Sequence, residues 1–132
     1  DIVLDVAHNE DAAKSLSENI KNIGYAKINV VLGILADKDV YSIVEPFISL
    51  VNHWYIGTIN SERGMNADEI KYRINSIHKS KLSISTYSSI ASAFNIAKSE
   101  QSSDSLLLIY GSFYTVAEAL KANLLQQKNN AL

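Results

Sequence analysis

The sequence predicts an α/β domain: an open, mostly parallel sheet of five to six strands with helices on both faces. Three observations carry that expectation. Short β-branched runs alternate with segments of helical period, the pattern of strands joined by crossover helices. Two of those runs, residues 28–34 and 106–110, are nearly continuously apolar, as central strands covered on both faces are. The polar residues best suited to chemistry directly follow strand ends. In a parallel sheet those ends share one rim, where open α/β folds bind ligands.

Taken in order, the first strand, residues 2–5, is short and ends in the carboxylate of Asp5. Asn9 then caps a helix whose apolar positions Ala12, Ala13, Leu16, Ile20 and Ile23 recur at three- and four-residue steps, and Gly24 supplies its left-handed stop. After the second strand, residues 28–34, Asp39 opens a helix with Val40, Ile43, Val44 and Phe47 inward. Pro46 lies inside that helix and has no N–H to give, so a kink or early break is expected there. A third strand, residues 53–57, leads to Asn66-Ala67-Asp68-Glu69, a capping-box variant that starts a helix burying Ile70, Ile74 and Ile77. The fourth strand, residues 82–86, precedes a helix that starts after Ser88 or Ser89 and buries Ile90, Ala93, Phe94 and Ala97. The last strand, residues 106–110, runs into a helix beginning at Ser112 with Val116, Ala119, Leu120 and Leu124 inward and a polar tail, residues 126–130, that frays.

The bulk numbers exclude several classes. At 132 residues the chain is one domain, and it shows no internal repeat. Twelve basic and fourteen acidic residues leave a net charge of −2, so no field draws in nucleic acid or an acidic membrane. The absence of cysteine rules out disulfides and thiolate metal sites and suits a reducing cytoplasm. Apolar runs fall far short of the roughly 20 residues that span a bilayer. The chain starts without an initiator Met or a signal-peptide pattern, and a strand begins within two residues, so it reads as a piece of a longer protein.

Each rim residue has an ordinary reading beside a functional one. Asp5 serves as a turn carboxylate or accepts a pair of ribose hydroxyls. His8 bonds a nearby carbonyl, or faces a ligand at a helix end whose positive dipole lowers its pKa. Asn9 and Asp39 read as helix caps. Lys38, between Asp37 and Asp39, offers a compact ammonium for a carboxylate or phosphoryl group. Arg63, in Ser61-Glu62-Arg63-Gly64, is a loop cation able to grip an anion. Ser112 and Thr115 cap the last helix, whose N-terminal amides also suit an anion. His53 and His78 have no partner at metal-ligand spacing with His8 and read as structural; no metal site is expected.

The run Asp5-Val6-Ala7-His8-Asn9 resembles the signature that opens the C-terminal domain of the folylpolyglutamate synthase/dihydrofolate synthase family, in the Mur ligase superfamily. Leu35-Ala36-Asp37-Lys38-Asp39 and Tyr110-Gly111-Ser112-Phe113-Tyr114-Thr115-Val116-Ala117-Glu118 resemble later stretches of that family, in its order. Two positions depart: Glu10 and Glu62 stand where the family usually has Pro. The resemblance implies a Rossmann-like C-terminal domain whose N-terminal P-loop ATPase partner domain is absent from this chain. It also implies a monomeric parent enzyme that joins L-glutamate to a folate or dihydropteroate carboxylate with ATP and magnesium, the magnesium ligands coming mainly from the other domain. On that resemblance Asp5, His8, Asn9 and Arg63 lie toward ATP. Lys38, Ser112, Tyr114 and Thr115 lie toward glutamate, with His8 and Lys38 nearest the chemistry; this chain alone should not turn over. Two alternatives stay open, a peptidoglycan-precursor ligase domain and a non-catalytic nucleotide-binding module. A receiver-type signalling domain does not fit, since Gly57-Thr58 and Gly111-Ser112 stand where it needs an Asp and a Lys.

Overall fold

The computed structural model describes residues 1–78 and 81–130. It holds a five-stranded, all-parallel sheet of β1 (Ile2–Leu4), β2 (Lys27–Leu32), β3 (His53–Gly57), β4 (Ile84–Tyr87) and β5 (Ser105–Tyr110), in the spatial order β1-β5-β2-β3-β4. Helices α1 (Glu10–Ile23), α2 (Val40–Val44), α3 (Ala67–Ile77), α4 (Ile90–Ser99) and α5 (Phe113–Asn130) connect and follow the strands.

Strand order and crossover handedness together dictate the layers. The chain steps one way through β1, β2, β3 and β4, and right-handed crossovers put α1, α2 and α3 on one face. It then steps back to insert β5 between β1 and β2, which puts α4 on the other face, where α5 joins it. Two cores result. Leu106, Leu108 and Tyr110 of β5 enter the first, with Ala13, Ile43, Phe47 and Ile70. Leu107 and Ile109 enter the second, with Ala93, Phe94 and Ala119. All six residues of β5 are buried, so the near-continuous apolar run there is what a strand buried on both faces requires.

Caps behave largely as the sequence predicts. Asn9 accepts from the Ala12 N–H at 2.9 Å, and Gly24 takes the left-handed conformation at φ 81°. Asp39 accepts from the Tyr41 N–H, and α2 breaks at Val44 into a single 3₁₀ turn, Glu45–Phe47, with Pro46 in its first turn. Ser89 caps α4 through the Ser92 N–H.

Several expectations are corrected. The second strand ends at Leu32, because residues 34–36 leave the sheet and pair with the loop around Arg63: Leu35 bridges Gly64, and the Ala36 N–H bonds the Arg63 carbonyl at 2.7 Å. The fourth strand lies at Ile84–Tyr87, shifted toward the rim. The capping box on α3 is only half formed, since Asn66 accepts from the Asp68 N–H while Glu69 turns to Arg73 at 2.9 Å. Ile23 and Ile77 end their helices half-exposed rather than inward. On α5 the inward residues are Thr115, Ala119 and Ala122, and Leu120 and Leu124 face outward. The tail to Asn130 stays helical, with Gln126 donating to the Asn95 side-chain oxygen.

Candidate functional site

The loops after neighbouring strands diverge at two places on the rim: between β3 and β4, beside a cavity lined by Thr58, Asn66, Thr86 and Tyr87, and around β5, where the predicted site residues lie. The loops after β1 and β2 turn toward the face of α1 and α2, whereas the loop after β5 turns toward α5. The loop leaving β5 therefore diverges from both neighbours, which is the switch-point geometry that opens a ligand crevice in doubly wound sheets. The three segments at that crevice are the loop after β1 with Asp5 and His8, the loop after β2 with Lys38, and the turn after β5 with Ser112, Tyr114 and Thr115.

Backbone and buried hydroxyls lock these segments together. The Asp5 N–H continues the ladder to the Ile109 carbonyl at 3.0 Å. The Gly111 N–H donates to the Ala7 carbonyl at 3.1 Å. Thr115 Oγ1 donates to the Gly33 carbonyl at 2.9 Å, and Ser112 Oγ accepts from the Thr115 N–H at 3.1 Å. With the Thr115 proton on Gly33, the 2.9 Å contact between the two hydroxyls has Ser112 as its donor. Gly111 sits at φ +120°, and a Cβ there would come within 2.2 Å of the Gly33 carbonyl oxygen. Only glycine fits so close an approach.

The predicted site residues divide by what remains free. Asp5 is half-buried; its Oδ1 accepts from the Ala7 N–H at 2.9 Å, which aims the carboxylate and leaves Oδ2 for another partner. His8 is exposed, and its Nδ1 lies 2.9 Å from the Val6 carbonyl oxygen, a contact that holds the ring. The Asn9 side chain is occupied by its cap, and so contributes to the helix that carries the site. Lys38 is half-buried and Arg63 exposed, and neither forms an ion pair among the described residues. The Ala36–Arg63 hydrogen bond sets the backbones of these two cationic loops side by side.

Ser112 and Thr115 need a different role from the one their residue types suggest. They are 2% and 0% exposed, and both hydroxyl protons are committed inside the turn. They shape the turn, and what it presents outward is Tyr114 with the first N–H groups of α5, those of Phe113 and Tyr114, which lack intrahelical partners. The carbonyls of Ala7 and Gly33 and the side chain of Glu118 complete the arrangement; Glu118 Oε2 accepts from the Ala91 N–H at 2.8 Å and ties α5 to the start of α4. Gly33 escapes sequence reading because it looks like an interruption inside an apolar run, and only the fold brings Thr115 to it.

His53 is held by side-chain hydrogen bonds from the neighbouring strand's end. It lies at the far end of β3, bonded to Ser85 at 2.8 Å and to Ser83, and burial holds its pKa below 6.5. It lines a cavity of about 510 Å³ with Asn29, Tyr55, Tyr87 and Glu100. Burial, then the bond to Glu100, pushes the Tyr55 hydroxyl up to about 12. No group of three His, Cys, Asp or Glu side chains able to hold a metal ion occurs among the described residues.

The fold is that of a doubly wound α/β domain, with the predicted site residues on the loops around β5. Residues 1–113 match the family of Mur ligase glutamate ligase domains, and the chain belongs to that family. A curated relative, the dihydrofolate synthase/folylpolyglutamate synthase of Buchnera aphidicola from Acyrthosiphon pisum, is 35% identical over 90% of this chain and 28% of its own length. The E. coli FolC structure in complex with DHPP and ADP superposes with a TM-score of 0.85 at 26% identity, covering 96% of this chain and 29% of that one. A bifunctional folylpolyglutamate synthase/dihydrofolate synthase with Mn, AMPPNP and L-glutamate bound gives 0.83 at 27% identity, over 93% and 29% of the two chains. This chain thus spans less than a third of the length of these relatives.

Proposed function

We propose that this domain supplies one wall of the active cleft of an ATP-dependent ligase that joins L-glutamate to a folate or dihydropteroate carboxylate. The observation that supports it most is the interlocking of the three motif segments around the start of α5, in a member of the glutamate ligase domain family. In this reading the acceptor carboxylate is phosphorylated, the glutamate amine attacks the acyl phosphate, and phosphate leaves as the amide forms. The sequence has no Gly-x-x-x-x-Gly-Lys-Ser/Thr loop. In this reading the phosphate-holding loop, and most of the magnesium ligands, belong to the rest of the enzyme.

This chain's residues bind and orient. The free oxygen of Asp5 takes the nucleotide's ribose hydroxyls, and His8 and Arg63 lie toward its polar groups; Asn9 holds the helix behind them. Lys38 neutralises negative charge on the acyl-phosphate side as the amine attacks. Tyr114 and the first amides of α5 take the glutamate carboxylate, where the helix dipole contributes about 0.3–1 kcal/mol. Ser112 and Thr115 act on glutamate through the turn they shape. Closure of the two domains excludes water from the acyl phosphate.

The test is ADP release by the full-length enzyme with glutamate, offered dihydropteroate, tetrahydrofolate or a peptidoglycan precursor separately. Glutamate-dependent release with either pteridine is the expected result. Release only with the cell-wall precursor would move the enzyme to the peptidoglycan branch.

A further inference from the structure

Resting on the function just proposed, we infer that Thr115 is a positioning residue that sets the Lys38 loop against the glutamate-facing turn through its hydrogen bond to the Gly33 carbonyl. It reaches no substrate itself: it is fully buried, and its hydroxyl proton is committed at 2.9 Å to Gly33.

Four features make this bond a coupling between two loops rather than one more core contact. Gly33 directly follows β2 and begins the segment that leaves the sheet toward Lys38. Thr115 lies in the first turn of α5, next to Tyr114. The approach is tight from both sides. A Cβ on Gly33 would stand 2.7 Å from Thr115 Oγ1, and one on Gly111 would stand 2.2 Å from the Gly33 oxygen. Two glycines thus let the segments meet, and one hydroxyl joins them. Finally, the Gly33 carbonyl lies where the chain has left the β2–β5 pairing, which ends at Leu32 and Tyr110, so Thr115 supplies a donor in place of the ladder.

The chemical consequence is specific. Acyl transfer to an amine needs the two reacting groups held at near-contact distance, and a misplacement of about 1 Å costs on the order of a hundredfold. Lys38 and Tyr114 stand on the two loops that Thr115 joins, whereas Asp5 is held by its own bond to the Ala7 N–H. Asp5 is further anchored in the sheet by its own N–H on the Ile109 carbonyl, and Arg63 is reached only at second hand through Ala36, so loosening Thr115 should act on glutamate more than on the nucleotide.

The experiment uses the full-length enzyme with Thr115→Val, which keeps the shape and removes the donor, and Thr115→Ser, which restores it. The valine variant should lose about ten- to a hundredfold in kcat/KM for glutamate, with KM for ATP within about twofold of wild type; serine should recover most of the loss. Equal losses for both substrates, no loss, or no recovery with serine would overturn the inference. Hydrogen–deuterium exchange supplies a readout independent of turnover. In the valine variant, peptides covering residues 34–39 and 111–116 should both exchange faster, and acceleration confined to 111–116 would show that no coupling exists. Were the wild-type enzyme to release no ADP with glutamate, the functional proposal would fall, while the exchange result would still decide the coupling.

Discussion

At the scale of single residues, the decisive feature is which polar atoms are left unspent. Asp5 uses one carboxylate oxygen to accept the Ala7 N–H and keeps the other. In the full-length enzyme Asp5→Ala should lose a charged hydrogen bond of roughly 1.5–3 kcal/mol, about ten- to a hundredfold in kcat/KM for ATP. Asp5→Asn, which preserves the turn oxygen, should lose less. Steady-state kinetics with varied ATP check this, and an alanine variant with wild-type ATP kinetics would remove Asp5 from the cleft. His53 gives a prediction about stability. Its folded-state pKa lies below 6.5 because burial disfavours the imidazolium, with Glu100 opposing more weakly. Above 6.5 both folded and unfolded chains hold it neutral and it adds no pH dependence. As pH falls below 6.5 the unfolded chain takes the proton first, so stability is lost from there down to the folded-state pKa. Urea midpoints at pH 7.5 and 5.5 should fall more for wild type than for His53→Asn, and equal falls would contradict the assignment. The rim placement of Asp5, His8 and Lys38 was legible in the sequence because strand-end polar residues stand out from apolar runs. The inward turn of Ser112 and Thr115 was not, since a capping hydroxyl and a ligand-binding hydroxyl look identical until the carbonyl of Gly33, 82 positions away, is in place.

At the scale of elements, local signals predicted termini well and faces less well. Asn9, Asp39, Asn66 and Ser89 each cap the helix expected of them, because a cap is decided within four residues. The inward face of α5 depends on what lies across from it. The helix sits close over β5 and against α4, so small residues, Ala119 and Ala122, face inward, and Leu120 and Leu124 are left outside. Hydrophobicity alone ranks leucine above alanine and so points to the wrong stripe. The premature end of β2 was equally hidden, because residues 34–36 are drawn off by the loop around Arg63. Glycines separate the two kinds of constraint in a measurable way. Gly24 is left-handed at φ 81° but has open space where a Cβ would go, so Gly24→Ala should cost only about 1–2 kcal/mol of backbone strain. Gly111 combines φ +120° with a Cβ position 2.2 Å from a backbone oxygen that cannot yield alone. Gly111→Ala should therefore destabilise the fold by clearly more than Gly24→Ala. Urea unfolding of the two variants, with matched m-values, checks the order; a Gly111→Ala variant as stable as Gly24→Ala would mean the turn is free to move.

At the scale of the whole molecule, the rim has the character of one wall of a cleft. Phe113 is 74% exposed at the start of α5, and Val6 and Tyr114 are also open beside Asp5 and Thr115. In the function proposed above, the rest of the enzyme covers these side chains when the cleft closes. The groups that remain free on this wall, the Asp5 carboxylate, the His8 ring, Lys38 and the first amides of α5, can bind and orient, and none of them forms a phosphate-cradling loop. Binding alone does not move a phosphoryl group, which needs its charge clamped on several sides at once. The 132-residue chain by itself should accordingly release no ADP above background with ATP, glutamate and either pteridine, even at high concentration. The full-length enzyme should release it under the same conditions. Adding to the isolated chain a separately produced protein that carries the rest of the enzyme should restore release only as far as the two associate, with a rate that rises with the concentration of either one. Turnover by the chain alone would place the phosphoryl-transfer machinery inside this domain, and the division of labour argued from its rim would have to be abandoned.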